Sequence, residues 1–367
     1  MSRRRFHRRS AVCRRAGRGF TLVELMVALT IGLLMLAALV TIFESSSRAH
    51  GEFAKVVEQT QNGASAMRLV SDDLAHAGYY GEFHALPAPA GVAPDPCVIG
   101  ATSLYNALAF PIQGYDAAVS SPLTCLGDND YVPGTDILVI RRASATALSA
   151  ASVPITNEVY LQVSPTAAEV QFGAGSSPVG TTLKAGGTAA TIFKNDGVSA
   201  ANIRKYMVRI YFIAPCNMPA DGGTSCTGAA DDGGNPVPTL KRLELTSIAG
   251  VTGWSIVPLV EGIQDLQIDY GIDNAPAMVN ATTGWRGDGV PDVYVTGPGD
   301  TDWPNVVSAN VRLLARSTQS SAGFSDRKVY DMGLAGTRAA FNDGFKRHLF
   351  ASAVRLTNVG GRREIPQ

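Results

Sequence analysis

The feature that most constrains this chain is an unbroken apolar run, Phe20 to Phe43, in which Glu24 is the only charge. As a helix, those 24 residues rise roughly 36 Å, enough to cross the hydrocarbon core of a bilayer. Ahead of the run, the first 19 residues carry eight arginines and no acid, a bias that holds this end in the cytoplasm. A secretory signal places its apolar segment before the cleavage site and is lost with it. Here the apolar run follows the basic leader, so a cut at their junction would remove only the leader and leave the anchor attached. An uncleaved single-pass anchor is the plainer alternative.

Glu24 needs an explanation, because a carboxylate inside an apolar span costs several kcal/mol unless it is neutralised or finds a cation. Snorkelling to the cytoplasmic interface is one outlet, and its place near the helix start permits it. A cationic partner is the other.

Beyond the span the pattern stays helical. Phe53, Val56, Val57, Thr60, Ala64, Met67, Val70, Leu74 and Ala77 recur at three- and four-residue steps, with charged residues on other faces. One helix is predicted from Phe20 to about Ala77. The segment from Tyr79 to about Asp130, rich in Pro, Gly and Ala, reads mainly as loops.

Strand signals follow at Gly134–Arg142, Glu158–Val163, Lys205–Ala214, Leu240–Thr246, Gln264–Tyr270, Asp292–Thr296, Val306–Leu314, Lys328–Asp331 and Leu349–Thr357. Asp221 to Pro238 reads as a mobile surface excursion between two strands. The expected architecture is α+β, a long N-terminal helix followed by a mainly antiparallel β-sheet head. Its parts are a leader (1–19), a transmembrane helix (20–43), an amphipathic continuation (44–78) and a β-rich periplasmic domain (79–367).

Charge and cysteine usage bear on the head. Without the leader's eight arginines, 23 basic residues face 31 acidic ones, a net charge of −8 that disfavours a nucleic-acid surface. Cys13 leaves with the leader. Cys97, Cys125, Cys216 and Cys226 remain, an even count that suits two disulfides in an oxidising compartment and allows three pairings. Cys97 with Cys125 and Cys216 with Cys226 is favoured, because each pair brackets a loop-like stretch. Metal binding by the thiols is the competing idea, without CxxC spacing or a nearby His to support it.

The run Gly19-Phe20-Thr21-Leu22-Val23-Glu24-Leu25 behind a basic flank resembles a type IV prepilin processing site. The resemblance implies that a prepilin peptidase cuts between Gly19 and Phe20 and N-methylates Phe20. It also implies that Glu24 pairs with the amino terminus of a neighbouring subunit during assembly. Gly134–Arg142, Arg209–Cys216, Leu259–Gly271, Asn305–Ser317 and Phe350–Asn358 together resemble the PilW family of minor pilins.

That family implies a subunit that primes pilus assembly with other minor pilins and the major pilin, and that reaches the pilus tip. A tip adhesin-like protein is a further implied partner, and the peptidase and assembly platform are transient ones. The large minor pseudopilin of type II secretion has a similar design, and a tip binding module for a host surface or DNA is an alternative of another class.

No GxSxG, HExxH or GxxxxGK[ST] motif occurs, and His50, His76, His84 and His348 are not at ligand spacing, so neither catalysis nor a cofactor is expected. Asp273, Asp288 and Asp292, with Asp269 and Asn274, bracket a Gly-rich connection and are weak calcium candidates whose spacing does not match an EF-hand. Trp254, Trp285 and Trp303 serve either as core residues or as anchors for a partner.

Overall fold

The computed structural model describes residues 19–89, 91–148, 155–173, 192–194, 199–275 and 287–364. The leader ahead of Gly19 and Trp285 lie outside these residues. The chain divides into two units, one ending at Ala54 and one beginning at Lys55.

Helix α1 spans Leu22–Ala75. In the first unit its large apolar side chains are about half exposed or more, from Leu22 at 74 % to Phe43 at 76 %. This helix is long and apolar enough to cross a membrane. Three of its hydroxyls bond back to the helix: Thr30 donates to the Val27 carbonyl at 2.9 Å, Thr41 to Ala38 at 2.8 Å and Ser45 to Ile42 at 2.9 Å. Such back-bonding lets short polar residues sit in a hydrocarbon environment.

In the second unit α1 packs on the head along a stripe that keeps Val70 and Leu74 of the expected one and departs from it nearer the N-terminus. The buried positions are Gln59, Gly63, Ala66, Val70, Asp73 and Leu74, while Val56, Thr60 and Ala64 are exposed. Close approach explains the departure. Gly63 lies flush against Phe350, whose ring would sit 2.0 Å from a Cβ at that position. Gln59 faces inward because its amide nitrogen donates to the Ala315 and Lys346 carbonyls at 2.8 and 3.0 Å. The helix stops at Ala75, and His76 and Ala77 form its closing turn.

The region from Tyr79 to Asp130 is more ordered than its composition predicts, holding α2 (Ala101–Asn106) and strand β1 (Ile112–Tyr115). Six further strands complete the first sheet. These are β2 (Ile137–Ala147), β3 (Val159–Val163), β4 (Ala168–Phe172), β5 (Asn202–Ala214), β6 (Thr239–Ile248) and β7 (Val251–Glu261). All pair antiparallel. One edge of β5 takes β2; the other takes β3 along Asn202–Lys205 and β6 along Arg209–Ala214.

A single residue, Gly262, leads from β7 into the second sheet. Its φ is +75°, and a Cβ there would meet the Arg316 carbonyl oxygen at 2.7 Å, so glycine is required on both counts. The second sheet has the order β13-β10-β8-β9, built from β8 (Ile263–Ile272), β9 (Val293–Val295), β10 (Val306–Arg316) and β13 (Arg347–Arg355). β11 (Tyr330–Asp331) and β12 (Thr337–Arg338) form a separate ribbon.

One core joins α1 to both sheets through Ala66, Val70, Leu74, Ile140, Ile213, Leu266, Val311 and Leu313. Polar bonds join the sheets as well. The Asp136 N–H donates to the Leu266 carbonyl at 2.9 Å, and its carboxylate accepts from the Ile268 and Ala117 N–H groups at 2.7 and 3.0 Å. Helix α4 (Thr357–Glu364) closes the described chain.

The excursion between β5 and β6 is pinned, against the mobility expected of it. Asp231 starts the four-residue stretch α3 (Asp231–Gly234), which positive φ at Asp232 and Gly233 breaks into a tight turn. The Asp231 carboxylate accepts from the N–H groups of Ala220, Thr227 and Gly228. The Thr227 hydroxyl, followed by these backbone donors, holds it well below the usual carboxylate range.

Candidate functional site

The N-terminal segment brings together Gly19, Phe20, Thr21 and Glu24. Leu22 opens the helix, which makes Thr21 the N-cap and Glu24 the third helical residue. The Glu24 N–H donates to the Thr21 hydroxyl oxygen at 3.2 Å, and Glu24 Oε2 accepts from the Thr21 N–H at 3.2 Å and its hydroxyl at 3.1 Å. This reciprocal cap satisfies donors that hydrocarbon would leave bare. Its sequence signal, Thr-x-x-Glu before an apolar run, was available in the chain but is absent from the expectations above.

A Cβ at Gly19 would meet nothing within 4 Å, so no contact among the described residues demands glycine there. Phe20 is likewise exposed.

This segment and the C-terminal half of the head are where known families match. A prokaryotic N-terminal methylation motif covers residues 14–40, and the family Type IV Pilus-assembly protein W matches residues 227–358. Together these matches support a PilW-like type IV pilin. The second match runs through β6, β7, β8, β10 and β13, and so includes the Gly262 junction.

Among solved structures, a type IV-like pilin from Thermus thermophilus is 13 % identical over 42 % of this chain and 79 % of its own, with a TM-score of 0.20. No curated protein matches. The methylation motif and the apolar helix support an inner-membrane-anchored, single-pass pilin.

The other expected site residues fall in the head. Disulfides join Cys97 to Cys125 and Cys216 to Cys226, with Cα–Cα separations of 5.4 and 5.8 Å. Cys216, Cys226 and Asp231 offer ligand atoms within 4.8 Å of one another, but the two sulfurs are bonded together and Asp231 is spent on backbone donors.

Asp273 meets a cation already: Arg363 Nη1 lies 3.2 Å from its Oδ2, and the Gly289 N–H donates to the same oxygen at 3.0 Å. Asp288 accepts from the Val290 N–H and Asp292 from the Asn274 N–H, both at 2.9 Å. Each carboxylate is therefore part of the loop's own bonding, and an inward guanidinium opposes a divalent ion beside Asp273. Trp303 is a core residue edge-on to Tyr270 at 4.9 Å. Trp254 is half-buried, and its indole N–H donates to the Cys97 carbonyl at 3.3 Å.

Sequence reading did not single out Asp73. Its carboxylate sits under the first sheet, bonded by Arg209, Arg142 and Tyr211. Burial alone would raise its pKa, but Arg209, Tyr211 and Arg142 together hold it below the ordinary value. An acid on the buried side of an amphipathic helix has no signature in periodicity.

Proposed function

We propose that this chain is a minor pilin that helps prime type IV pilus assembly within a minor-pilin complex. On this reading a prepilin peptidase cuts between Gly19 and Phe20 and Phe20 is N-methylated. Residues 20–43 then hold the subunit in the inner membrane, basic end inward and head in the periplasm, until it enters the filament and takes its place at the tip. Other minor pilins, the major pilin and a tip adhesin-like protein are its partners, and the assembly platform receives it.

The observation that carries this reading is the state of Glu24. Its Oε2 closes the helix cap, while Oε1 has no partner among the described residues. The free oxygen can receive the ammonium of a neighbouring subunit's Phe20 without uncapping the helix. Charge pairing then neutralises two groups that hydrocarbon penalises. The matched family's description as a pilus-assembly protein favours the pilus over a type II secretion apparatus.

The test is a strain lacking the chain, complemented with wild type or Glu24→Ala. Wild type should restore surface pili. Glu24→Ala should reach the membrane at normal level yet fail to restore pili or to cross-link with other minor pilins. Normal piliation by the variant would make Glu24 a mere capping residue and sink the proposal.

A further inference from the structure

Lys241 on β6 is 1 % exposed, and among the described residues no carboxylate lies within salt-bridge reach of its ammonium. Its Nζ lies instead 3.8 Å from Cys216 Sγ and 3.8 Å from Cys226 Sγ. A register shift between Leu240 and Lys241 against β7 marks a bulge, the kind of irregularity that re-aims a side chain.

The surrounding acids are engaged elsewhere. Asp130 accepts from the Cys226 N–H at 2.8 Å, Asp231 takes its three backbone donors, and Asp232 accepts from the N–H groups of Asn217, Met218 and Val237. Burial pushes the Lys241 amine down, opposed by Asp130, Asp232 and Asp231.

We infer that Cys216–Cys226 is an exchangeable redox site whose reduced form Lys241 stabilises, and that it reacts with a dithiol oxidoreductase at Cys226. Of the two, Cys226 is the more accessible, though itself only 3 % exposed. Cys226 lines a surface pocket of about 250 Å³ with Asn129, Pro215, Gly228 and Pro236, whereas Cys216 is fully buried.

A thiolate of the dithiol enters there and attacks the Cys226 sulfur. The Cys216–Cys226 bond breaks, and its electron pair leaves on Cys216 as a thiolate facing the Lys241 ammonium. A mixed disulfide now joins Cys226 to the dithiol. The dithiol's second sulfur attacks its own partner in that bond and releases Cys226, which takes up the second thiol's proton. The cystine is reduced by two electrons and the dithiol is oxidised to its disulfide.

A lysine beside the leaving sulfur lowers its thiol pKa, which speeds departure and favours the reduced form. Reduction also supplies the counter-ion that the buried ammonium otherwise lacks. The other disulfide is the natural control. Cys97 and Cys125 are both more exposed, and the close donor at their sulfurs is the Cys125 N–H, 3.1 Å from Cys97 Sγ. Exposure alone ranks Cys97–Cys125 as the more reducible pair, and Lys241 reverses that order.

The experiment equilibrates the full chain in detergent with graded glutathione buffers, traps free thiols and quantifies each pair by peptide mapping. Cys216–Cys226 should be the first pair reduced. Lys241→Met should raise the glutathione ratio needed by tenfold or more, about 30 mV for a two-electron couple, and leave Cys97–Cys125 unchanged.

A second readout needs no variant: near neutral pH, wild-type reduction of Cys216–Cys226 should take up one proton where Cys97–Cys125 takes up two. Uptake of two protons by both pairs, or an unshifted Cys216–Cys226 equilibrium in Lys241→Met, would overturn the inference.

Discussion

Arg209 on β5 donates through one nitrogen to both carboxylate oxygens of Asp73 on α1, at 2.7 and 2.8 Å. Arg142 on β2 adds a bond at 3.1 Å and Tyr211 supplies its hydroxyl, so a single acid ties the helix to two strands. Truncating one member of a buried ionic cluster leaves the rest uncompensated. Asp73→Ala should therefore cost about 3 to 5 kcal/mol in urea unfolding of the detergent-solubilised chain. A loss below ~1 kcal/mol, the range of exposed pairs, would show that the arginines find water instead.

Two carboxylates give the head opposed responses to pH. Asp73 is depressed in the fold, so its contribution is present above the ordinary carboxylate value and is lost as pH falls through its folded value. Asp136 is raised to about 7, chiefly by burial, against the N–H groups of Ala117 and Ile268. The folded chain keeps that proton where the unfolded chain releases it, so this contribution is lost between about pH 4 and about pH 7. Urea midpoints across that window should show Asp136→Asn flattening the decline with rising pH. An unchanged slope would mean that Asp136 is ionised in the fold.

The contact between Gly63 and Phe350 predicts a coupled pair. Gly63→Val should destabilise by about 1 to 3 kcal/mol, the usual range for overpacking, because the ring occupies the space of the new side chain. Phe350→Leu in the same chain should recover part of the loss. Strictly additive effects would place the ring elsewhere.

Much of this fold is legible from residue patterns, and the parts that are not have identifiable causes. The apolar run announces α1, and alternating β-branched and aromatic residues announce β5, β8 and β10. Strand β7 escapes because Gly253 and Pro258 break its pattern, and β1 because four residues around Gly114 carry too little signal. The face that α1 buries was legible only in part: Val70 and Leu74 follow the apolar period, whereas Gln59, Gly63, Ala66 and Asp73 do not. Gly63 and Ala66 permit close approach but contribute little apolar weight, while Gln59 and Asp73 look like surface residues until their partners are known. At the N-terminus the order of Gly19, Phe20 and Glu24 was readable because it is contiguous in the chain. The Lys241 contact with Cys216 and Cys226 was not, since it depends on the β5–β6 register and on the bulge at Lys241.

Maturation of the N-terminus is the central claim, and intact-mass analysis of the chain extracted from membranes tests it most directly. Gly19 can be replaced without a steric clash among the described residues, so Gly19→Val isolates peptidase recognition from folding. Wild type should show the mass of residues 20–367 plus one methyl group, and Gly19→Val the mass of the full unmethylated chain. A wild-type mass that retains residues 1–19, or a Gly19→Val chain processed like wild type, would contradict the account.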